Sequence, residues 1–133
     1  MTISFIGHGY VGLVTASVFA DLGNTVWVVG RTRAKIDNLN KGIMPFYEPG
    51  LEELVKRNLA AGRLKFTLSY ADGVKDSKVI FICVGTPSKS NGEADLASVF
   101  KSPDLVLFEF FVLQRSPKIF FCLALIFDVR ISD

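Results

Sequence analysis

The chain has 133 residues, half of them hydrophobic, and a formal net charge of +2. That length suits one domain with an ordinary core, and its scattered cations argue against nucleic acid or an anionic membrane and for a small-molecule partner. Cys83 and Cys122 have no C-x-x-C spacing and His8 is the lone histidine, which excludes a zinc site and suits a reduced, cytoplasmic protein.

The first predicted element is a strand, the apolar run Ile3 to Ile6, which ends at Gly7. Gly7-His8-Gly9-Tyr10-Val11-Gly12 then has the spacing G-x-G-x-x-G between a strand and a helix, the context in which this spacing marks a dinucleotide-binding turn. Gly7 permits the tight turn, Gly9 lets backbone approach a pyrophosphate, and Gly12 lets the helix pack closely on the sheet. The freed amides and the helix dipole favour an anion. Val11 to Ala20 lacks the basic leader of a signal peptide and belongs to the helix, with Val11, Val14, Val18 and Leu22 predicted on its buried face and Gly23 ending it.

Thr25 to Val29 reads as a second strand, covered on both sides and completing a βαβ unit. At its end an Asp or Glu normally accepts hydrogen bonds from the 2′-hydroxyl of an adenosine ribose. Gly30-Arg31-Thr32-Arg33 stands there instead. Two readings are open. Arg31 can pair with a 2′-phosphate, favouring NADP, or Arg31 and Arg33 are solvated residues at a strand end.

A short helix is predicted over Ala34 to Asn40, with Ile36 and Leu39 inward, and Gly42 beyond it. After the proline-bracketed loop from Pro45 to Gly50, Leu51 to Ala61 forms a helix with Leu51, Leu54, Val55 and Leu59 on one face. Leu64 to Leu68 is a strand, Tyr70 to Val74 a helical turn, and Lys78 to Val84 an apolar strand that ends at Gly85-Thr86-Pro87. In an open α/β sheet, ligands bind beyond the strand ends where the strand order reverses, so Gly85 and Thr86 should face the Gly7 to Gly12 loop.

These segments resemble the N-terminal NAD-binding domain of the UDP-glucose/GDP-mannose dehydrogenase family, of which UDP-glucose 6-dehydrogenase is representative. The likeness rests on Gly7 to Gly12, on Lys41-Gly42 with Tyr47-Glu48-Pro49-Gly50-Leu51-Glu52-Glu53-Leu54, on Phe81 to Pro87, and on Gly92-Glu93-Ala94-Asp95-Leu96. It implies an enzyme that oxidises a nucleotide-sugar C6 alcohol, of UDP-glucose or GDP-mannose, to a uronic acid with NAD. Carried over, Gly7, Gly9, Tyr10, Val11 and Gly12 contact the pyrophosphate and Thr86 lies near the cofactor. The family's ribose-binding acid falls on Gly30, which places NADP beside NAD as a candidate. Its catalytic cysteine, lysine, asparagine and aspartate belong to regions absent here, so the chain carries no catalytic residue and is inactive alone. A nucleotide-sugar substrate then belongs only to the full-length enzyme. Cys83, inside an apolar strand, is not the family nucleophile.

The likeness covers about the first 100 residues. All 11 glycines lie at or before Gly92, whereas seven of the 12 phenylalanines fall between Phe100 and Phe127. A helix begins near Asp95 and should stop at Pro103. The apolar runs 104–113 and 119–127 are shorter than the roughly 20 residues of a membrane span, so no membrane partner is expected. They suit strands or buried helix pieces, from either a frame-shifted end or a segment covering the sheet edge.

The expected architecture is therefore α/β: a half Rossmann, doubly wound parallel sheet in the order 3-2-1-4 over residues 1–100, followed by an atypical apolar tail over 101–133. The leading function is that of an N-terminal, cofactor-binding fragment of a nucleotide-sugar dehydrogenase, with no metal, no nucleic acid and no assigned oligomeric state. A non-catalytic nucleotide- or partner-binding module, or another Rossmann class, is the alternative.

Overall fold

The central strand, β1 (Thr2–Ile6), is buried from Ile3 to Ile6, so it needs neighbours on both edges and cover on both faces. The computed structural model describes residues 1–93, 95, 97–101 and, for backbone alone, 120–123. From β1 the chain runs through α1 (Tyr10–Asp21) to β2 (Thr25–Val29), then α2 (Arg33–Asn40), α3 (Leu51–Ala60) and β3 (Leu64–Thr67). After α4 (Tyr70–Val74) it returns to the other side of β1 as β4 (Val79–Ile82), and β5 (Phe120–Leu123) follows. The strand order is β3-β2-β1-β4-β5 and each pairing is parallel.

The order 3-2-1-4 matches the sequence expectation; β5 adds one strand to it, pairing Phe120 with Val79 and Leu123 with Ile82 through the backbone ladder. Of the expectations for the tail, only this strand is described. The stop at Pro103, the remaining apolar runs and the side chain of Cys122 lie outside the described residues. Helical backbone does begin at 97–101, where the Asp95 carboxylate accepts from the Ala97 N–H at 2.9 Å.

Alternation along the strands splits the core in two. Ile3, Phe5, Val26 and Val28 face α1 and α3, together with Leu13, Ala16, Ala20, Leu51 and Val55. Phe5 and its ladder partner Phe81 stack at 4.7 Å, and Phe19 of α1 tilts against both. The opposite face buries Ile6, Val29, Val74 and Ile80 under α4. The Ser4 hydroxyl, buried there, bonds to the Gly73 carbonyl and to Ser77, which fixes α4 to the middle of β1. At the sheet edge, the Lys65 ammonium of β3 lies 5.1 Å over the Trp27 ring of β2.

The face of α1 differs from the one expected. Gly12, Leu13, Ala16, Ser17 and Ala20 are buried, whereas Val18 is 45% and Leu22 73% exposed. The helix approaches the sheet closely, and close approach selects small side chains at four-residue intervals over the larger valines. The strand β4 stops at Ile82, so Cys83 lies half-buried just beyond it and not inside a strand. In α3, Leu54 and Leu59 are half-buried and Asn58 takes a fully buried place.

Asn58 is buried because it joins three elements. Its amide donates to the Asp21 carboxylate at 3.1 Å and to the Leu54 carbonyl at 2.9 Å, and its oxygen accepts from Arg63 Nε at 2.9 Å. Arg57 donates to the same carboxylate at 2.8 Å. These bonds, Asn58 first, hold the Asp21 carboxyl below its usual pKa. Asn58→Ala should cost about 1–3 kcal/mol, since it strands buried polar groups on both sides. Urea denaturation checks this; a loss under about 0.5 kcal/mol would mean that water replaces the amide.

Candidate functional site

Three strand ends meet at one small cavity. Their ladders run on into the turn residues: Gly7 N donates to the Val29 carbonyl at 2.8 Å, Cys83 N to Ile6 at 2.8 Å, and Gly30 N to Thr67 at 2.9 Å. Beyond them lies a space of about 150 Å³ lined by residues that include Gly7, His8, Gly9, Gly30, Arg31, Tyr70 and Gly85. It sits where the chain, having built β2 and β3 on one side of β1, crosses to β4 on the other.

The glycines of the turn do different work. Gly7 has φ +112°, and a Cβ there would lie 2.3 Å from the Cys83 carbonyl oxygen. A Cβ on Gly12 would lie 2.4 Å from the Gly7 oxygen. Packing therefore explains both. Gly9 is the N-cap of α1 with φ −69°, ψ −178°, extended backbone that any residue adopts, and a Cβ on it would meet nothing within 4 Å. Gly85 also faces open space. Neither of these two glycines is required by the fold, and both line the cavity.

The lining suits an anion. The N–H groups of Tyr10, Val11 and Gly12 in the first turn of α1 have no acceptor within the helix, while Leu13 N already bonds to Gly9. Among the described residues no carboxylate lines the cavity, and Arg31 is at its rim. His8 Nε2 is buried with no protein partner, an exception to the rule that buried polar atoms are paired. Burial first, then the charges of Lys35 and Arg31, lower the His8 pKa. Burial likewise raises that of Tyr70.

Of the residues singled out in the sequence, Gly7, Gly9 and Arg31 line the cavity together. Tyr10, Val11 and Gly12 form the adjoining helix turn. The Tyr10 side chain turns the other way: its hydroxyl donates to Glu48 at 2.8 Å, its ring lies 5.2 Å from that of Phe46, and the Glu48 bond raises its pKa. Thr86 is half-buried one residue past Gly85 and is not among the lining residues. Sequence reasoning passed over His8 and Tyr70. The place of His8 between two turn glycines was the signal for the first; nothing local marks Tyr70. A second hollow, about 480 Å³ beside α3, is larger, but Glu48, Glu52 and Glu53 line it against Lys56 alone, which repels phosphate.

Comparison with known proteins gives a consistent assignment. The profile described as UDP-glucose/GDP-mannose dehydrogenase family, NAD binding domain, matches residues 1–108. A UDP-glucose 6-dehydrogenase of Pseudomonas aeruginosa is 52% identical over 99 residues, 74% of this chain and 22% of that protein. One of Bacillus subtilis is 48% identical over 99 residues, with the same shares. Among solved structures, a GDP-mannose dehydrogenase ternary complex from Pseudomonas aeruginosa superposes with TM-score 0.86 at 38% identity, covering 94% of this chain and 29% of that one. A UDP-glucose dehydrogenase from Pyrobaculum islandicum gives 0.81 at 34% identity, over 92% and 28%. The chain thus spans less than a third of the length of these relatives.

The lowered pKa of His8 fixes a sign. Below its unperturbed value of 6.5 the unfolded chain takes up a proton that the folded chain refuses, until the lower folded pKa is reached. This contribution to stability is complete above pH 6.5 and falls as the pH drops through that window. Melting curves of the chain and of His8→Gln should therefore diverge below about pH 6.5, the variant losing less stability on acidification. Parallel curves would refute the burial of a neutral imidazole.

Proposed function

The chain belongs to the UDP-glucose/GDP-mannose dehydrogenase family, and on that premise we propose that it forms the cofactor grip of a nucleotide-sugar 6-dehydrogenase. The proposed overall reaction oxidises the C6 alcohol of a sugar such as that of UDP-glucose or GDP-mannose to a uronic acid. NAD, when bound, supplies a hydride acceptor for that chemistry.

One observation carries the reading: Gly9, and with it Gly85, is a glycine for which the fold has no use. An extended φ and an empty Cβ position would accept most side chains. A ligand in contact with the backbone at that point supplies the missing reason. The residues present fit a dinucleotide's phosphates, because open space, unpaired helix amides and a rim without carboxylates coincide there.

In this reading Gly7 sets the direction of the turn, Gly9 leaves room for a phosphate, and the N–H groups of Tyr10, Val11 and Gly12 bond it. Thr86 lies near the same ligand from the β4 side. The Tyr10 hydroxyl, held by Glu48, orders the proline-bracketed loop over the start of α1. At about 150 Å³ the cavity takes one part of the cofactor, since whole ligand pockets run to about 300–1,000 Å³. Hydride transfer and sugar binding then depend on regions that the longer relatives have in addition.

Gly9→Asp separates binding from folding. Aspartate is a favoured N-cap and its charge suits a helix start, so stability should hold or rise by about 0.5–1 kcal/mol. The same charge repels a phosphate. Calorimetric titration should show ADP or NAD binding to the chain and at least a tenfold loss, about 1.4 kcal/mol, in the variant. Undiminished binding in Gly9→Asp would refute the site. The chain alone should give no cofactor reduction with UDP-glucose or GDP-mannose; measurable turnover would refute the division of labour.

A further inference from the structure

The end of β2, one cavity wall away from the glycine turn, has the chemistry of a second anion site. Gly30 carries no side chain, and the volume a Cβ would need is taken: Ile36 Cδ1 would be 2.6 Å away and His8 Nδ1 3.0 Å. No carboxylate therefore stands at the place from which a ribose 2′-hydroxyl would be received. What stands there is basic. Arg31 is exposed at the rim, and Lys35 follows it by four residues, on the first turn of α2. Both act electrostatically on His8, which brings the two cations to the same side of the cavity.

The backbone adds donors. Thr32 is the N-cap of α2, yet its hydroxyl makes no capping bond. Lys35 N and Ile36 N both bond to the Thr32 carbonyl, which leaves Arg33 N and Ala34 N without an intrahelical acceptor. His8 Nε2, buried and unpartnered, faces the same space from the turn.

We propose that Arg31, Lys35 and the Thr32 hydroxyl form a 2′-phosphate site, and that this chain selects NADP over NAD. The inference rests on the dinucleotide reading of the glycine turn. The physical basis is that a phosphate dianion suits a planar guanidinium through paired, charge-assisted hydrogen bonds, with an ammonium as a second countercharge. A bare 2′-hydroxyl, by contrast, finds donors and cations where it wants an acceptor. The arrangement therefore rewards the phosphate and leaves the hydroxyl unread.

The test is calorimetric titration of the full chain with NAD, NADP, ADP and adenosine 2′,5′-bisphosphate, repeated on Arg31→Ala and Arg31→Lys. Arg31 is exposed, so neither variant threatens the core. NADP should bind at least about tenfold more tightly than NAD, with the bisphosphate ahead of ADP by a similar factor. Arg31→Ala should abolish that advantage and leave NAD unchanged, and Arg31→Lys should restore part of it. Equal or tighter binding of NAD by the unaltered chain overturns the 2′-phosphate site and leaves the glycine-turn reading standing. Equal loss of both cofactors in Arg31→Ala overturns the role of Arg31 as the reader. Binding of none of the four ligands overturns both readings.

Discussion

The close approach of Gly7 to the Cys83 carbonyl governs the rest of the structure. With φ +112° and 2.3 Å between a notional Cβ and that oxygen, only a hydrogen fits between the turn after β1 and the exit of β4. Gly12 repeats the constraint one turn later, against the Gly7 oxygen itself. Because the turn is this tight, α1 starts directly over the strand ends and lies close on the sheet. Its small buried residues, Gly12, Ala16 and Ala20, follow from that proximity. So does the cavity, which is the gap left where β1 and β4 part company.

Much of this was legible in the residues. The strand order 3-2-1-4 follows from short apolar runs alternating with helical patterns, and the positive φ of Gly23, Gly42, Gly50 and Gly62 falls where the sequence puts ends of helices or tight turns. The face of α1 was not, because hydrophobicity points to Val18 and Leu22 while the sheet selects small side chains. Asn58 was invisible for a similar reason. Its three partners come from α1, its own helix and the loop before β3, and no local pattern announces a polar residue satisfied over such separations. Arg31 was readable at the site because the missing acid leaves a gap in a known spacing; Tyr70 arrives only through the packing of α4.

Glycine, then, has two meanings along this chain. At Gly7, Gly12 and Gly73 a side chain would strike backbone or a neighbouring valine, so the fold itself demands the hydrogen. At Gly9 and Gly85 it demands nothing. Separating the two kinds converts a motif into a physical statement about where something outside the chain comes close. The basic rim beyond Gly30 extends that statement from position to charge, since Arg31 and Lys35 lie on the same side of the one imidazole.

Trp27 offers a consequence of a different sort. It is the one tryptophan in the chain, and it sits at the β2–β3 edge under the Lys65 ammonium, remote in register from the glycine turn. Detaching β3 would hydrate the indole and remove the cation together. The intrinsic fluorescence of the protein is thus a local gauge of sheet-edge fraying, reading the outermost ordered pairing on that side while His8, at the other end of the same strand, reads the cavity.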